Sequence, residues 1–256
     1  MIAGDVTPEQ GFALAEKSFG AWAKPAAPLP PAPTADMTSR PRALIIDMPQ
    51  SGQAAVTLAK TAIVRSDPRY YAGLVANSVL GGGYSARLNQ EIRVKRGLSY
   101  GAGSSLTARQ STGAFTASTQ TKNESAAEVV SLVKAQMVGL AAKPPTPEEL
   151  VARKSVLVGG YGRALATTDG LAGTLGNLAL YDIPLSEVQA YTGKVEAVSA
   201  ADVQRFAAEV LDPSLASVIV AGDAKLFAAE LAPVLPGVET IPLADLDLDS
   251  PTLRKP

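Results

Sequence analysis

The chain has 256 residues, enough to bury a sizeable core in one large domain or one domain with appendages. Its formal net charge is −1, so no overall field draws it to nucleic acid or to an anionic membrane surface. It contains no cysteine and no histidine, which excludes disulfides, thiol nucleophiles, thiolate metal sites, a Ser-His-Asp triad and the H-E-x-x-H and H-x-x-E-H zinc motifs.

Residues 1–22 open with MIAGD and run into a helix start. Thr7 suits the N-cap, Pro8 the first helical position and Gln10 the reciprocal position of a capping box. Phe12, Leu14, Ala15 and Phe19 give that helix an apolar side. No signal peptide is expected, because the first twenty residues lack a basic start and an apolar run. Residues 24–35, KPAAPLPPAPTA, hold five prolines. They favour extended polyproline geometry at about 3.1 Å per residue, roughly 35 Å in all. Residues 23–42 therefore read as a semi-rigid linker, with a proline-rich surface loop as the other reading.

Residues 43–48 (ALIIDM) and 53–64 (QAAVTLAKTAIV) read as strands, the second alternating and β-branched. Asp67 and Pro68 start a helix with Tyr71, Leu74, Val75, Ser78 and Val79 on one side. Gly81, Gly82 and Gly83 end it. The next helix takes Tyr84, Leu88 and Ile92 as its inner stripe. Residues 98–107 and 113–121 read as strands joined by a short polar turn. Asn123 is expected to cap a long helix with Ala126, Val129, Val130, Val133, Met137 and Leu140 on one face. Thr146-Pro147-Glu148-Glu149 forms a second capping box. Helices then continue to about 210, with breaks near 170, 176 and 184. Residues 216–221 (ASVIVA) form a last strand, with a helix from about 224. Residues 238–256 read as an acidic tail, disordered or loosely docked. No apolar stretch is expected to span a bilayer.

Strands and helices, then strands, then a long run of helices indicate an α+β fold: a mostly antiparallel sheet with helices packed on one side. The main domain spans 43–237. Residues 1–5 (MIAGD) also echo residues 219–223 (IVAGD), each followed by an amphipathic helix, at an offset of 218 residues. The first copy has almost no strand before it, and so short a strand has little reason to stay ordered. Residues 1–22 are therefore expected to be the closing strand and helix of a preceding domain, mostly absent, that resembles this one.

Residues 80–101, LGGGYSARLNQEIRVKRGLSYG, concentrate the most demanding chemistry. A phosphate loop is excluded, since a helix rather than a strand precedes the glycines and no Walker pattern follows. Chain reversal explains the glycines, which tolerate positive φ and close backbone approach. Arg93 and Tyr100 lie across a helix-to-strand corner, and the strand SYGAGSS leaves space around the phenol. Converging there, a guanidinium and a phenol can donate to peptide carbonyls or to a developing oxyanion. An Arg favoured by the helix dipole and a half-buried packing Tyr form the structural reading of the same pair. The local basic cluster of Arg87, Arg93, Lys95 and Arg96 reads as a solvated helix face.

This stretch resembles a segment in the second, non-zinc-binding half of pitrilysin/insulinase-type metallopeptidases, which include mitochondrial processing peptidases and many bacterial two-domain proteases. The pattern there is a helix ending LGGG, then S-x-R-L, then [IL]-R-x-x-x-G-L-x-Y. Ser85, Arg87, Leu88, Ile92, Arg93, Gly97, Leu98 and Tyr100 match it. Softer matches are the two G-D turns, the linker, Asp67-Pro68 and the Glu-Leu after Thr146. The resemblance implies structural roles for Gly81, Gly82, Gly83, Ser85, Arg87 and Gly97. It implies that Arg93 and Tyr100 are the Arg/Tyr pair that reaches across a clamshell cavity to the substrate backbone. The zinc would be held by H-x-x-E-H and a downstream Glu of a missing N-terminal half or partner subunit, none of which exists here. The implied partners are that zinc-binding half and a peptide substrate. Self-association, and a cytoplasmic or periplasmic location, stay open. The alternative within the family is a catalytically inactive structural or peptide-binding subunit, like the core proteins of respiratory cytochrome complexes. An unrelated small-molecule enzyme or chaperone has no cofactor motif in its favour.

Overall fold

The alternating run that begins at Ala54 forms one of the two middle strands of a six-stranded sheet. In the computed structural model, which describes residues 1–28 and 40–255, the strands are β1 (Ala43–Asp47), β2 (Ala54–Thr61), β3 (Ala102–Ala108), β4 (Gly113–Thr121), β5 (Ser217–Gly222) and β6 (Glu239–Pro242). Their order is β3-β4-β2-β5-β1-β6. The pairs β3/β4, β4/β2 and β2/β5 are antiparallel, while β5/β1 and β1/β6 are parallel. The sheet is thus mostly antiparallel, with a parallel end. The uninterrupted apolar run of β1 fits that end, because Ile45 faces one core while Leu44 and Ile46 face another.

The helices are α1 (Pro8–Phe19), α2 (Tyr70–Leu80), α3 (Arg87–Asn89) continued by a π-helix over Gln90–Lys95, α4 (Ala126–Ala142), α5 (Pro147–Leu165), α6 (Thr168–Leu180), α7 (Glu187–Ala197), α8 (Ala200–Val210) and α9 (Ala228–Leu231). Val56, Leu58, Phe115, Ala117, Val218 and Val220 on one sheet face pack with Val75 and Val79 of α2, Val130 and Met137 of α4, and Phe206 of α8. Each fully buried large side chain contributes about 1.5–3 kcal/mol. On the opposite face Ser118 and Gln120 are exposed and Thr57 is partly so. One face covered by helices and one open to water is the arrangement that the alternation in β2 and β4 calls for.

Several expectations change. Residues 1–5 form no strand, and α1, although capped by Thr7 and Gln10 as expected, buries none of its residues; Phe12 is 76% exposed. The middle of the expected linker, residues 29–39, lies outside the described residues. Asn123 does not cap α4. Its amide donates to Ser51 O at 2.8 Å and its oxygen accepts from Asp223 N at 3.0 Å, so it ties two strand ends together. Gly170 and Gly176 lie inside α6; the break falls earlier, where Thr167 caps Gly170 N. The helix expected from 224 is a 3-10 turn followed by one turn of α9. Of residues 238–256, expected as a loose acidic tail, 238–255 supply β6 and then fold back over the sheet. Ile241 is buried with Leu44 and Ile46, and Leu246 and Leu253 pack on them. Three apolar side chains of that acidic segment, with the pairing of β6 on β1, dock it. Finally, residues Asn123–Ala142 are long and apolar enough by length and composition to cross a membrane, with mean hydropathy 1.2 over the best window. Val129, Val133 and Leu140 of this segment are buried in the core.

Candidate functional site

The glycine triplet brings the end of α2 onto β3. A Cβ on Gly81 would lie 2.4 Å from Ser104 N, and Gly81 O accepts a hydrogen bond from that same amide at 3.0 Å. A Cβ on Gly82 would lie 2.7 Å from Ser78 Cα, whereas Gly83 has nothing nearer than Arg153 at 3.8 Å. None of the three has positive φ; close approach at the first two is the reason for glycine. Positive φ belongs to Gly97, at +64°, which turns the chain out of the π-helix.

The loop after the glycines is fastened to α5. Arg87 donates to both carboxylate oxygens of Glu149 at 2.8 Å, and buried Arg153 donates to the Ser85 hydroxyl. Glu149 is thereby diverted from the reciprocal half of its capping box, although Thr146 still accepts from Glu149 N at 3.2 Å. Buried Asn89 donates to Tyr84 O at 2.6 Å and accepts from Ala102 N at 3.2 Å, joining the loop to the start of β3.

Residues 98–101, expected as strand, form a turn pinned to β4 by hydroxyls. Thr121 donates to Leu98 O at 2.6 Å, and Thr119 to Gly101 O at 2.7 Å. Tyr100 projects from this turn and is 89% exposed. Tyr84, expected on the inner stripe with Leu88 and Ile92, is 64% exposed, while both its expected companions are buried. The turn between Gly83 and α3 carries Tyr84 outward, clear of the helical register.

Arg93 leaves the π-helix, a widened turn of the kind that re-aims side chains. Its Cζ lies 4.9 Å from the Tyr84 ring centroid and 4.7 Å from that of Tyr100. The guanidinium is therefore held between two aromatic rings. Neither it nor the Tyr100 hydroxyl has a hydrogen-bond or ion-pair partner among the described residues. Beside Tyr100 the open sheet face forms a shallow recess of about 520 Å³, lined by Thr57, Ser99, Ser118 and Gln120 among others.

This arrangement offers hydrogen-bond donors that can bind and polarise a carbonyl. Guanidinium N–H groups and a phenol O–H are donors matched to carbonyl or oxyanion oxygens. Among the described residues no three Asp or Glu groups gather as metal ligands, and the chain has no histidine or cysteine. The residues present do not fit a zinc site, so no step through zinc is derived for this chain. The sequence identified Arg93 and Tyr100, and the fold brings them together. Tyr84, Asn89 and Glu149 were missed as parts of the site. The one available signal was their position in or beside the conspicuous stretch.

Residues 1–157 match the family model described as peptidase M16 inactive domain. An uncharacterized zinc protease of Streptomyces coelicolor is 30% identical over 165 residues, 64% of this chain and 36% of the relative. The crystal structure of a peptidase M16 inactive domain from Pseudomonas fluorescens has a TM-score of 0.74 at 30% identity, over 86% of this chain and 52% of that one. A protease from Helicobacter pylori shares the fold, with a TM-score of 0.76 at 19% identity, over 86% of this chain and 53% of that one. The chain thus spans about a third to a half of the length of these proteins. With a helix-backed mixed sheet and a glycine-lined corner, the chain belongs to the peptidase M16 inactive-domain family.

Proposed function

We propose that this chain is the substrate-facing, non-zinc-binding half of a zinc-dependent peptidase, and that Arg93 and Tyr100 donate hydrogen bonds to the backbone of a bound peptide. The observation that carries the reading is the guanidinium held between Tyr84 and Tyr100, the latter of which lines a polar recess. The two ring faces hold the cation upright and leave its N–H edges unspent. Neutral small residues on the floor beside it suit a main chain rather than one particular side chain. The zinc and its activated water would come from the companion half, which this chain lacks. Arg93 and Tyr100 would then stabilise charge on the scissile carbonyl, where loss of one donor costs about 10²–10³ in turnover.

The test uses the complete peptidase, with the half that carries H-x-x-E-H. Arg93→Ala and Tyr100→Phe are each expected to lower kcat/KM by about 10²–10³ without loss of zinc or of assembly. Unchanged turnover would sink the reading. Loss of assembly with intact chemistry per assembled molecule would indicate a scaffolding subunit instead.

A further inference from the structure

The chain has seven tyrosines, and four of them line a single cavity far from Arg93. This cavity of about 370 Å³ lies between the end of β3, the start of α2 and helices α5, α6 and α7. At about 3.3 Å per residue along β3, it is roughly 20 Å from Tyr100. Its size is that of small-ligand pockets. Arg65 and Glu187 are its charged lining residues.

The two charges are not equivalent. Glu187 is satisfied: it accepts from the Tyr71 hydroxyl on one oxygen and from Lys194 on the other, the latter at 2.5 Å. Arg65 is not. Its side chain is 13% exposed, its guanidinium makes no hydrogen bond to any described residue, and Glu187 lies 3.6 Å away. Among the described residues no buried side-chain nitrogen is left without a partner, so the guanidinium nitrogens of Arg65, a lining residue, keep some exposed surface. Its Cζ sits 3.8 Å from the Tyr70 centroid, which fixes the cation in place. The hydroxyls of Tyr70, Tyr181 and Tyr191 also have no partner among the described residues, whereas that of Tyr161 donates to Val188 O. Tyr161 and Tyr191 stack at 3.9 Å and give the cavity a flat aromatic wall.

We propose that this cavity binds a carboxylate carried on a planar apolar group, with Arg65 and the free phenols on the carboxylate and the tyrosine rings against the body. A cationic ligand is disfavoured, since both oxygens of Glu187 are already engaged. A free aromatic acid and the C-terminal aromatic residue of a peptide share this chemistry. The inference does not depend on the peptidase reading.

The test is calorimetric titration of the full chain with benzoate and benzamide, and with N-acetyl-Gly-Phe and its C-terminal amide. One acid is expected to bind saturably at one site, with its amide about tenfold weaker or worse for loss of the charged pair. Preference for benzoate identifies a free acid, and preference for the dipeptide a peptide terminus. Arg65→Gln should abolish the difference between acid and amide, and Tyr181→Phe should weaken binding less. Equal affinity for acid and amide, or no saturable binding of either acid, would overturn the proposal. Both comparisons use the unaltered chain, so they stand even where Arg65→Gln fails to fold.

Discussion

Arg87 and Arg93 lie six residues apart in the same short stretch, yet the fold uses them in opposite ways. Arg87 is 20% exposed and gripped by Glu149 in a two-pronged ion pair. Arg93 faces two exposed tyrosines and, among the described residues, no carboxylate. The difference lies in the neighbours. On one side α5 presents Glu149 and Arg153 to the loop; on the other, a turn pinned to β4 presents Tyr100 to open water. A cation answered by a carboxylate fixes the corner. A cation answered only by ring faces keeps its donors for something else.

This contrast can be broken most severely at the glycine that carries both sides. Gly81→Val should cost about 3 kcal/mol, the upper part of the overpacking range, because the clash is with backbone. The melting temperature reads this directly, and an unchanged value would mean that α2 and β3 do not approach so closely. Arg87→Ala should cost about 2 kcal/mol for its charge-assisted pair. Arg93→Ala should cost only about 0.5–1 kcal/mol, the worth of an exposed cation–π contact. Chemical denaturation of the two variants side by side tests the contrast, and equal losses would erase it.

The smallest expected effect concerns Glu187. Burial raises its carboxyl pKa, but hydrogen bonds from Lys194 and Tyr71 and the charges of Lys194 and Arg65 outweigh this and hold it below the usual carboxylate range. A depressed folded-state pKa stabilises above the unfolded value, and that contribution is lost as pH falls through the folded one. Stability should therefore decline on acidification below the ordinary carboxylate range, and Glu187→Gln should flatten part of that decline. Identical pH–stability profiles for the two proteins would remove this assignment. The same surroundings push the Tyr191 phenol up to about 12, chiefly by burial.

The two A-G-D turns show where sequence similarity stops informing. In the second copy a Cβ on Gly222 would lie 2.6 Å from Asn123 Oδ1, and Asp223 is buried and accepts from Gln50 N at 3.0 Å. In the first copy Gly4 has nothing within 4 Å, and Asp5 is exposed. Identical residues acquire different roles because only one copy has a sheet to join. The failed expectations at Tyr84, Asn123 and the C-terminal segment have a related cause. Each was assigned by local periodicity or composition; Asn123 and the segment were settled by partners distant in sequence, Ser51 and Asp223 for the one and Leu44 and Ile46 for the other, while Tyr84 was settled by tertiary contacts within its own stretch, to Asn89 and Arg93.

By itself the sequence determined the α+β class, the alternation of β2 and β4, the apolar face of α4, the caps at Thr7 and Thr146, and the lack of any histidine or cysteine. All of these follow from short-range geometry or from composition. It also singled out Arg93 and Tyr100. Only the tertiary structure decided that Arg93 stands between two rings while Arg87 is spent on Glu149. It also decided that Gly81 is needed for close approach and that four tyrosines line one cavity with Arg65, whose guanidinium is held only by a loose ion pair to Glu187. Those outcomes depend on which elements meet, and long-range packing sets that beyond the reach of any local pattern.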